Sequence, residues 1–202
     1  MRRPGKEWRE RAIAGALLAV LSPVFGAAAA AVWLEARLVR TARGPVFFRE
    51  ARVSRGQTIQ LIKFRTLNAA ALDSLGPGPS HIKVLEEQGE LTRVGRWLRQ
   101  WYLDELPQLW NIVRGDMFLI GTRPYPIELY DEKLARGITR KRDMPAGLIG
   151  PVQSAKGDGR DGVELDVEYW QAFQTASAPR LLVIDLGIVG RSLRVLLEHK
   201  GL

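Results

Sequence analysis

The sequence predicts an α-rich α+β protein, in which an N-terminal helix-break-helix dips into a membrane and a compact domain follows. Three features predict this class. The 23 residues from Ala12 to Leu34 contain no charged side chain. Two short runs rich in β-branched and aromatic residues come next, and they predict strands. In the rest of the chain apolar residues recur mainly at helical spacing, which predicts amphipathic surface helices.

Composition limits the chemistry that the chain can perform. Its 202 residues are enough for one core with an appended membrane element. Cysteine is absent, which excludes disulfides and thiolate metal sites. His81 and His199 are the only histidines, so a His-rich zinc site or a Ser-His-Asp triad is a poor candidate. Acid, base or nucleophilic chemistry must therefore come from carboxylates, lysines, tyrosines or hydroxyls.

The net charge of +8 is unevenly distributed along the chain. Residues 1–65 hold 13 Lys and Arg against 4 Asp and Glu, whereas residues 66–202 hold 17 against 18. The positive excess therefore surrounds the apolar segment. An anionic membrane surface is the better partner for such a distribution, and we expect no nucleic-acid partner.

The apolar segment Ala12–Leu34 fits three interpretations. A secretory signal peptide would be cleaved near Ala27–Ala29, but Arg37, Arg40 and Arg43 follow the segment and would impede export. A single helix of about 35 Å would be long enough to span a bilayer. Both of its flanks are basic, however, and the positive-inside bias draws both of them to the cytoplasm.

A re-entrant pair of helices is the interpretation that accounts for the positive charge on both flanks. Pro23 lacks an N–H group and clashes with the carbonyl four residues back, so a helix kinks there. Ser22 can bond the backbone groups that the kink releases. A membrane break at Ser22 and Pro23 returns both ends to the cytoplasmic face. We therefore predict a membrane element over residues 1–43 and a compact domain over residues 44–202.

The compact domain is predicted to begin with strands and to continue with helices. Val46–Phe48 and Thr58–Ile62 are predicted strands on either side of a turn at Ser54–Gln57. Gly76–Pro79 predicts an irregular loop. Helices are predicted at Val94–Leu103, Pro107–Val113, Ile127–Arg136, Val163–Thr175 and Arg180–Lys200. The charges of the last helix disfavour a membrane span, and its length could support a homodimer.

The most informative block is Leu103–Asn111, in which two adjacent carboxylates open an apolar helix. Adjacent carboxylates repel, and the apolar neighbours argue against simple solvation. From the residues alone, Asp104 could be an ordinary N-cap and Glu105 an ordinary first-turn residue. A carboxylate at a helix N-terminus is also held rigidly and kept ionised, which suits a nucleophile. Arg114–Met117 and Gly121–Pro124 follow directly.

Five motifs follow one another in order over residues 8–198. They are the apolar segment with Ser22-Pro23, Gly44–Arg49, Lys63–Thr66, Thr92–Arg99 running into the Asp104-Glu105 block, and Gly121–Pro124. Together they resemble the bacterial sugar transferase family, the small monotopic phosphoglycosyl transferases. The Gly121–Pro124 turn departs from the commoner Gly-Pro-Arg-Pro by having Thr122, and Arg140–Gln153 resembles the family more loosely.

The resemblance implies a reaction in two steps. Asp104 would attack the β-phosphorus of a UDP-sugar, release UMP and keep the phosphosugar covalently. A polyprenyl phosphate would then take up the phosphosugar as a polyprenyl diphosphate sugar. Glu105 is implied as a ligand of Mg²⁺, which offsets the repulsion between carboxylate and diphosphate. The protein would act at the cytoplasmic leaflet of the bacterial inner membrane, in the first membrane step of glycoconjugate or exopolysaccharide assembly.

Basic residues are candidates for contacts with substrate phosphates. Arg123 joins a planar guanidinium to the backbone donors of its turn, although it could merely brace that turn. Lys63 and Arg65 are two residues apart and are expected on one side, where the alternative is a solvated strand face. Arg93 and Arg96 could contact phosphate in the same way.

Two other functions stay open at the level of sequence. A soluble nucleotide-sugar transferase without a lipid acceptor would leave the apolar segment without a role. A non-catalytic membrane-surface adaptor would use the basic flanks to bind anionic lipids. The sugar, the glycan pathway, the prenyl length and the roles of Asp116 and Gln153 are not specified by the sequence.

Overall fold

The computed structural model describes residues 3–75, 85–86 and 88–198. The predicted Gly76–Pro79 loop and the last residues of the predicted C-terminal helix lie outside these ranges. Within them the protein is helix-rich with two small sheets, so the predicted α+β class is confirmed.

Helices make up most of the described chain, and the strands cluster in two places. The α-helices are α1 (Pro4–Val20), α2 (Ser22–Leu38), α3 (Ala69–Ser74), α4 (Arg93–Gln100), α5 (Gln108–Arg114), α6 (Ile127–Ala135), α7 (Pro151–Ser154), α8 (Gly162–Thr175) and α9 (Ala178–Leu197). The strands are β1 (Phe47–Ser54), β2 (Gln57–Phe64), β3 (Phe118–Ile120), β4 (Tyr125–Pro126) and β5 (Gly147–Ile149). Short 3₁₀ helices occupy Arg40–Ala42, Leu103–Glu105 and Arg140–Arg142.

The predicted hairpin is present, and both of its strands are longer than expected. β1 and β2 pair in antiparallel register from Phe47 opposite Phe64 to Ser54 opposite Gln57. Arg55 and Gly56 form the turn with φ angles of 51° and 70°. Two positive φ values are typical of a type I′ turn, whose twist matches the flanking strands. β4 completes this sheet along the free side of β1.

A second sheet escaped prediction. β3 and β5 pair in parallel, with Phe118 opposite Gly147. Each strand has three residues, too few for alternation to be recognised. At their ends Gly121 packs directly on Gly147, because a Cβ on Gly147 would lie 2.0 Å from the Gly121 nitrogen. This close approach sets the start of the Gly121–Pro124 turn.

The apolar segment forms two helices that are bent by 64° where they meet. Leu21 separates α1 from α2, Ser22 Oγ donates to the Ala19 carbonyl oxygen at 2.8 Å, and Pro23 lies in the first turn of α2. The predicted break at Ser22-Pro23 is therefore confirmed. Among the described residues no single helix is long and apolar enough to cross a bilayer, but the bent pair together meets that test as a broken span or re-entrant loop. Its membrane topology stays a prediction.

The first helix is fastened to the compact domain by buried charges. Lys6 Nζ lies 2.6 Å from Asp185 Oδ2 of α9 and also pairs with Glu10. Glu10 Oε2 in turn accepts a 2.8 Å hydrogen bond from the Leu119 amide of β3. Ala14 of α1 belongs to the same apolar core as α5 and β2. Helix α1 therefore shares the core of the compact domain. The predicted boundary between a membrane element and this domain at residue 43 stays a prediction.

The second helix is fastened to α4. Glu35, near the C-terminal end of α2, is buried and accepts hydrogen bonds from the amides of Arg93 and Val94 at 2.8 and 3.2 Å. These are among the amides at the start of a helix that lack an intrahelical partner. Thr92 caps the same end by accepting from the Gly95 amide. A carboxylate on α2 therefore helps to hold the N-terminus of α4.

α9 has one buried and one exposed side. Leu181, Asp185 and Ile188 are buried, whereas Leu186 and Leu193 are largely exposed. The charged Asp185, which the sequence placed among the polar residues of this helix, is instead the buried partner of α1. The homodimer predicted from this helix stays a prediction.

We predict that Gly95→Ala destabilises the protein by about 1–3 kcal/mol, the usual range for overpacking. A Cβ on Gly95 would lie 2.4 Å from the Thr66 carbonyl oxygen, so α4 and the segment that follows β2 would have to separate. Gly190→Ala is the matched control, because a Cβ in that part of α9 meets nothing within 4 Å. It should leave the free energy of unfolding unchanged or raise it by up to about 1 kcal/mol. Thermal unfolding in detergent measures both, and equal melting temperatures for the two variants would contradict the packing described.

Candidate active site

The paired carboxylates lie in a strained reversal between α4 and α5. Tyr102 has a φ of 55°, a left-handed conformation that is uncommon outside glycine and often occurs at functional sites. The predicted helix Val94–Leu103 is therefore too long, since α4 ends at Gln100 and a 3₁₀ helix carries Leu103–Glu105. The strained residue is followed, two positions later, by Asp104.

Asp104 is buried and only partly satisfied. It is 5% exposed, and its Oδ1 has no hydrogen-bond partner among the described residues. Burial and then the charge of Glu105 raise the pKa of Asp104 to about 7, although Lys63 acts in the opposite direction. Two expectations are thereby wrong. Asp104 is not an N-cap, because Pro107 occupies that position of α5, and its location does not keep it fully ionised at neutral pH.

Lys63 brings positive charge to these carboxylates from β2. Its Nζ lies 3.8 Å from Glu105 Oε1 and 3.5 Å from Glu50 Oε2. Burial acts to lower the pKa of Lys63, but Glu105, Glu50, Asp104 and Glu86 together raise it above its usual value. Lys63 is therefore held as an ammonium ion, and its surroundings exclude the alternative of a solvated strand face.

Arg65 is placed differently from Lys63. It is 1% exposed, and its Nε and Nη1 donate to the carbonyl oxygens of Pro45 and Leu67, both at 2.9 Å. Burial lowers the pKa of Arg65, which Glu35 partly opposes. The alternative that Arg65 lies on a solvated strand face is therefore also wrong. Both basic side chains line the same small cavity, but the burial of Arg65 disfavours direct phosphate contact, which stays a prediction.

Arg93 and Arg96 lie exposed on the outer side of α4. The structure brings the Arg93 amide to Glu35, but it gives neither guanidinium a contact that would define a phosphate site. Phosphate binding by Arg93 and Arg96 therefore stays a prediction.

Arg123 projects from a turn that is braced by other groups. Thr122 is buried, and its amide and Oγ1 both lie 3.2 Å from the Pro145 carbonyl oxygen. The hydroxyl thus adds a hydrogen bond where the commoner motif has proline. Arg123 itself is exposed, and its positive charge opposes the rise that burial and Glu105 cause in the pKa of Tyr102. The Arg123 guanidinium is therefore near enough to the Asp104 loop for its charge to act on Tyr102.

Asn111 is a positioning residue that the sequence analysis did not identify. Its Nδ2 donates to the Gln60 carbonyl oxygen at 2.7 Å, and its Oδ1 accepts from the Ile62 amide at 3.0 Å. Asp116, whose role was open, accepts from the same Nδ2 at 2.9 Å. These bonds fix α5, which follows the paired carboxylates, against β2, which carries Lys63. The sequence feature that could have identified Asn111 is its polar side chain at a core position of an otherwise apolar helix.

The carboxylates present fit a magnesium ion that is bound jointly with a substrate. The described residues contain no group of three or more His, Asp or Glu side chains that could hold a metal ion by themselves. Mg²⁺ is usually held by one or two carboxylates together with phosphate oxygens. Glu105, which is partly exposed beside the unpartnered Asp104 oxygen, supplies such a ligand.

Comparison with known proteins places the chain in a family. The sequence model described as "Bacterial sugar transferase" matches residues 1–199. The chain belongs to the bacterial sugar transferase family. The resemblance inferred from the five motifs is therefore confirmed.

Three curated relatives illustrate the family. The UDP-glucose:undecaprenyl-phosphate glucose-1-phosphate transferase of Caulobacter vibrioides is 34% identical over 199 residues, covering 92% of this chain and 67% of the relative. The Escherichia coli K12 protein of the same name is 29% identical over 168 residues, covering 78% of this chain and 34% of the relative. A UDP-N-acetylgalactosamine-undecaprenyl-phosphate N-acetylgalactosaminephosphotransferase of Aeromonas hydrophila is 30% identical over 203 residues, covering 94% and 43%. The chain thus spans between a third and two thirds of the length of these relatives.

We predict that Asp104→Asn stabilises the protein at neutral and alkaline pH. The folded-state pKa of Asp104 is raised from 3.8 to about 7, so folding opposes its ionisation. This penalty is absent below about pH 4, grows as the pH rises to about 7 and is then constant, on the order of a few kcal/mol. Melting temperatures measured from pH 4 to pH 8, without divalent cations, should show the variant increasingly more stable than the wild type.

The control for this measurement is Asp131→Asn, on the exposed side of α6. It should follow the wild-type pH dependence throughout. A difference between wild type and Asp104→Asn that stays constant from pH 4 to pH 8 would show that Asp104 does not carry the raised pKa.

Proposed function

We propose that the protein transfers a phosphosugar from a UDP-sugar to a membrane polyprenyl phosphate, with release of UMP and formation of a polyprenyl diphosphate sugar. The relatives named for this reaction support the general chemistry. The observation that carries the proposal for this chain is the buried Asp104 carboxylate, with one oxygen unpartnered and Lys63 and Glu105 beside it. A buried acceptor without a partner is unfavourable for stability, and a catalytic role is one explanation for its presence.

In the first step Asp104 acts as the nucleophile. One carboxylate oxygen forms a bond to the β-phosphorus, the bond from that phosphorus to the bridging oxygen breaks, and UMP leaves with the electron pair. The unpartnered Oδ1 has no hydrogen bond to give up before it attacks. Mg²⁺, held by Glu105, would supply positive charge at the diphosphate. Lys63 and Arg123 stabilise the negative charge that develops on the phosphoryl oxygens.

In the second step the polyprenyl phosphate regenerates the enzyme. A phosphate oxygen of the acceptor attacks the phosphosugar phosphorus, and the bond to the Asp104 oxygen breaks. The carboxylate returns to its initial state, so the reaction consumes one donor and one acceptor and yields one UMP. Lys63 assists the departure of Asp104, because its charge favours the ionised carboxylate against the opposing effects of burial and Glu105.

The acceptor is a lipid, and the surface of the protein supports a membrane location. Trp8, Trp33, Trp97, Trp101 and Trp110 are all substantially exposed. Tryptophan is enriched where membranes meet water, because its ring is apolar and its N–H is polar. With the bent α1–α2 pair re-entrant in the cytoplasmic leaflet of the inner membrane, Trp97 and Trp101 of the segment before Asp104 would lie at the level of the lipid phosphates.

We predict that UMP release over repeated turnovers requires both substrates and Asp104, because without the acceptor each enzyme molecule releases one UMP and stops at the covalent intermediate. With Mg²⁺, a UDP-sugar and polyprenyl phosphate, Asp104→Asn should lose at least about 10³-fold in rate, because the nucleophile is gone while the side-chain shape is kept. Asp131→Asn should release UMP at the wild-type rate. A luminescence assay for UMP with a panel of UDP-sugars makes the measurement. Lipid binding by wild type without UMP release from any donor would instead favour a membrane-surface adaptor.

We also predict that both ends of the helix pair lie on the cytoplasmic face. The chain has no cysteine, so single cysteines placed at Trp8 and at Arg40 are unique labels. In inside-out vesicles both variants should react with a membrane-impermeant maleimide, and in right-side-out vesicles neither should react before lysis. Labelling of the two positions from opposite sides would show a spanning helix and would refute the re-entrant arrangement.

A further inference from the structure

Glu50 is a buried acidic residue of the first hairpin to which the proposed reaction gives no role. It is 2% exposed and lies on β1 beside two cations of the same sheet. Arg52 is two residues further along β1, so it projects to the same side of the strand and pairs with Glu50. Across the hairpin Glu50 is opposite Leu61, which makes Lys63 of β2 its diagonal neighbour. The register of the hairpin therefore places Glu50 between Arg52 and Lys63.

The two carboxylate oxygens of Glu50 have different surroundings. Oε1 accepts a hydrogen bond from the Arg52 guanidinium, whereas Oε2 has no hydrogen-bond partner among the described residues and essentially no accessible surface. The cation nearest to Oε2 is Lys63, whose Nζ lies 3.5 Å away. An oxygen without accessible surface is not open to a metal ion or to a substrate. Glu50 is therefore placed to act on the candidate site through Lys63.

Lys63 lies between two carboxylates and is hydrogen-bonded to neither of them. Its Nζ is 3.5 Å from Glu50 Oε2 and 3.8 Å from Glu105 Oε1. Both distances exceed the roughly 2.7–2.9 Å of a hydrogen bond between an ammonium and a carboxylate. The two negative charges thus attract the ammonium in two directions, and its position is a balance between them.

The position of Lys63 decides how far Glu105 is available to other cations. A movement of Nζ by about 1 Å would bring Lys63 into direct hydrogen bonding with Glu105. A carboxylate that is bonded to an ammonium has its charge offset and is a poorer ligand for a divalent cation. The Glu105 side chain is 25% exposed and that of Glu50 only 1%, so of the two it is Glu105 that solvent ions can reach. The attraction of Lys63 to Glu50 therefore favours an open Glu105.

Resting on the transferase function proposed above, we propose that Glu50 is a positioning residue, which draws Lys63 away from Glu105 and so keeps Glu105 available to a divalent cation. Glu50 itself contacts neither the cation nor the donor. Its charge holds Lys63 without a hydrogen bond, so the ammonium donors stay available to the donor phosphates. A glutamine at this position would keep the size of the side chain and an acceptor for Arg52, but Lys63 would then pair with Glu105.

The test measures metal binding by the full chain in detergent, with Mn²⁺ as the probe and UMP at a fixed saturating concentration. Electron paramagnetic resonance reports the free Mn²⁺ without any turnover. Glu50→Gln should raise the Mn²⁺ concentration at half-saturation about tenfold, the usual scale for a group that supports a metal ligand. Glu132→Gln is the matched control, because Glu132 pairs with Arg136 on an exposed part of α6, and it should bind Mn²⁺ as the wild type does. An unchanged or lower half-saturation concentration in Glu50→Gln would overturn the proposal.

Two further comparisons separate positioning by charge from a role in packing, with thermal unfolding as the check that each variant is folded. Glu50→Asp keeps the charge but is one methylene shorter, so it should bind Mn²⁺ nearly as the wild type does. Weakening by Asp as large as by the isosteric Gln would show that shape matters and would overturn the proposal. In a Lys63→Met background, Glu50→Gln should have no further effect, because the residue through which Glu50 acts is absent. The same weakening in that background would show that Glu50 acts by its own charge, and positioning through Lys63 would be wrong.

UMP release distinguishes this inference from the proposed function. Saturating Mg²⁺ should restore most of the wild-type kcat in Glu50→Gln, because the substitution affects the availability of Glu105, whereas metal would not rescue a misfolded site. A kcat that stays low at saturating Mg²⁺ would overturn the inference. Unchanged Mn²⁺ binding in Glu50→Gln together with normal UMP release would overturn the inference alone. The predicted loss of Mn²⁺ affinity in a protein that releases no UMP from any donor would contradict the transferase function alone.

Discussion

The crowding of carboxylates around the ammonium group of Lys63 is the constraint on which the candidate site depends. Glu50 and Glu105 lie within ion-pair distance of Lys63, and the charges of Asp104 and Glu86 also act on it. Burial and then the negative charge of Glu105 raise the pKa of Asp104, so this carboxylate tends to hold a proton. A diphosphate can approach such a site only with an added cation, which gives a physical reason for a metal ion shared between protein and substrate.

The two helices of the apolar segment are joined to the two segments that carry Asp104 and Arg123. Glu10 of α1 bonds the Leu119 amide of β3, and β3 leads directly into the turn with Arg123. Glu35 of α2 bonds the first amides of α4, and α4 leads into the reversal with Asp104. The bent pair is therefore not an independent anchor. Two buried carboxylates therefore link the angle between the helices to the separation of Asp104 and the Arg123 turn.

Local patterns predicted the parts of the fold that local forces determine. Pro23 predicted the break in the apolar segment, and short runs rich in β-branched and aromatic residues on either side of the Ser54–Gln57 turn predicted the hairpin. The parallel pair β3–β5 could not be recognised, because three-residue strands carry no period and their pairing joins residues almost 30 positions apart. The environment of Asp104 could not be predicted from local patterns either, because Lys63 and Glu86, whose charges act on it, come from distant segments of the chain. The family resemblance pointed to Asp104 and Glu105, but it gave no information on their burial.

The central claim is that Asp104 carries the phosphosugar between donor and acceptor. Intact-protein mass spectrometry tests it most directly, on detergent-solubilised protein mixed with Mg²⁺ and a panel of UDP-sugars in the absence of polyprenyl phosphate. The account predicts a mass gain of one phosphosugar with at least one donor, lost in Asp104→Asn and reversed when polyprenyl phosphate is added. The same mass gain in Asp104→Asn as in the wild type would contradict the account, because the covalent bond would then be formed by another residue.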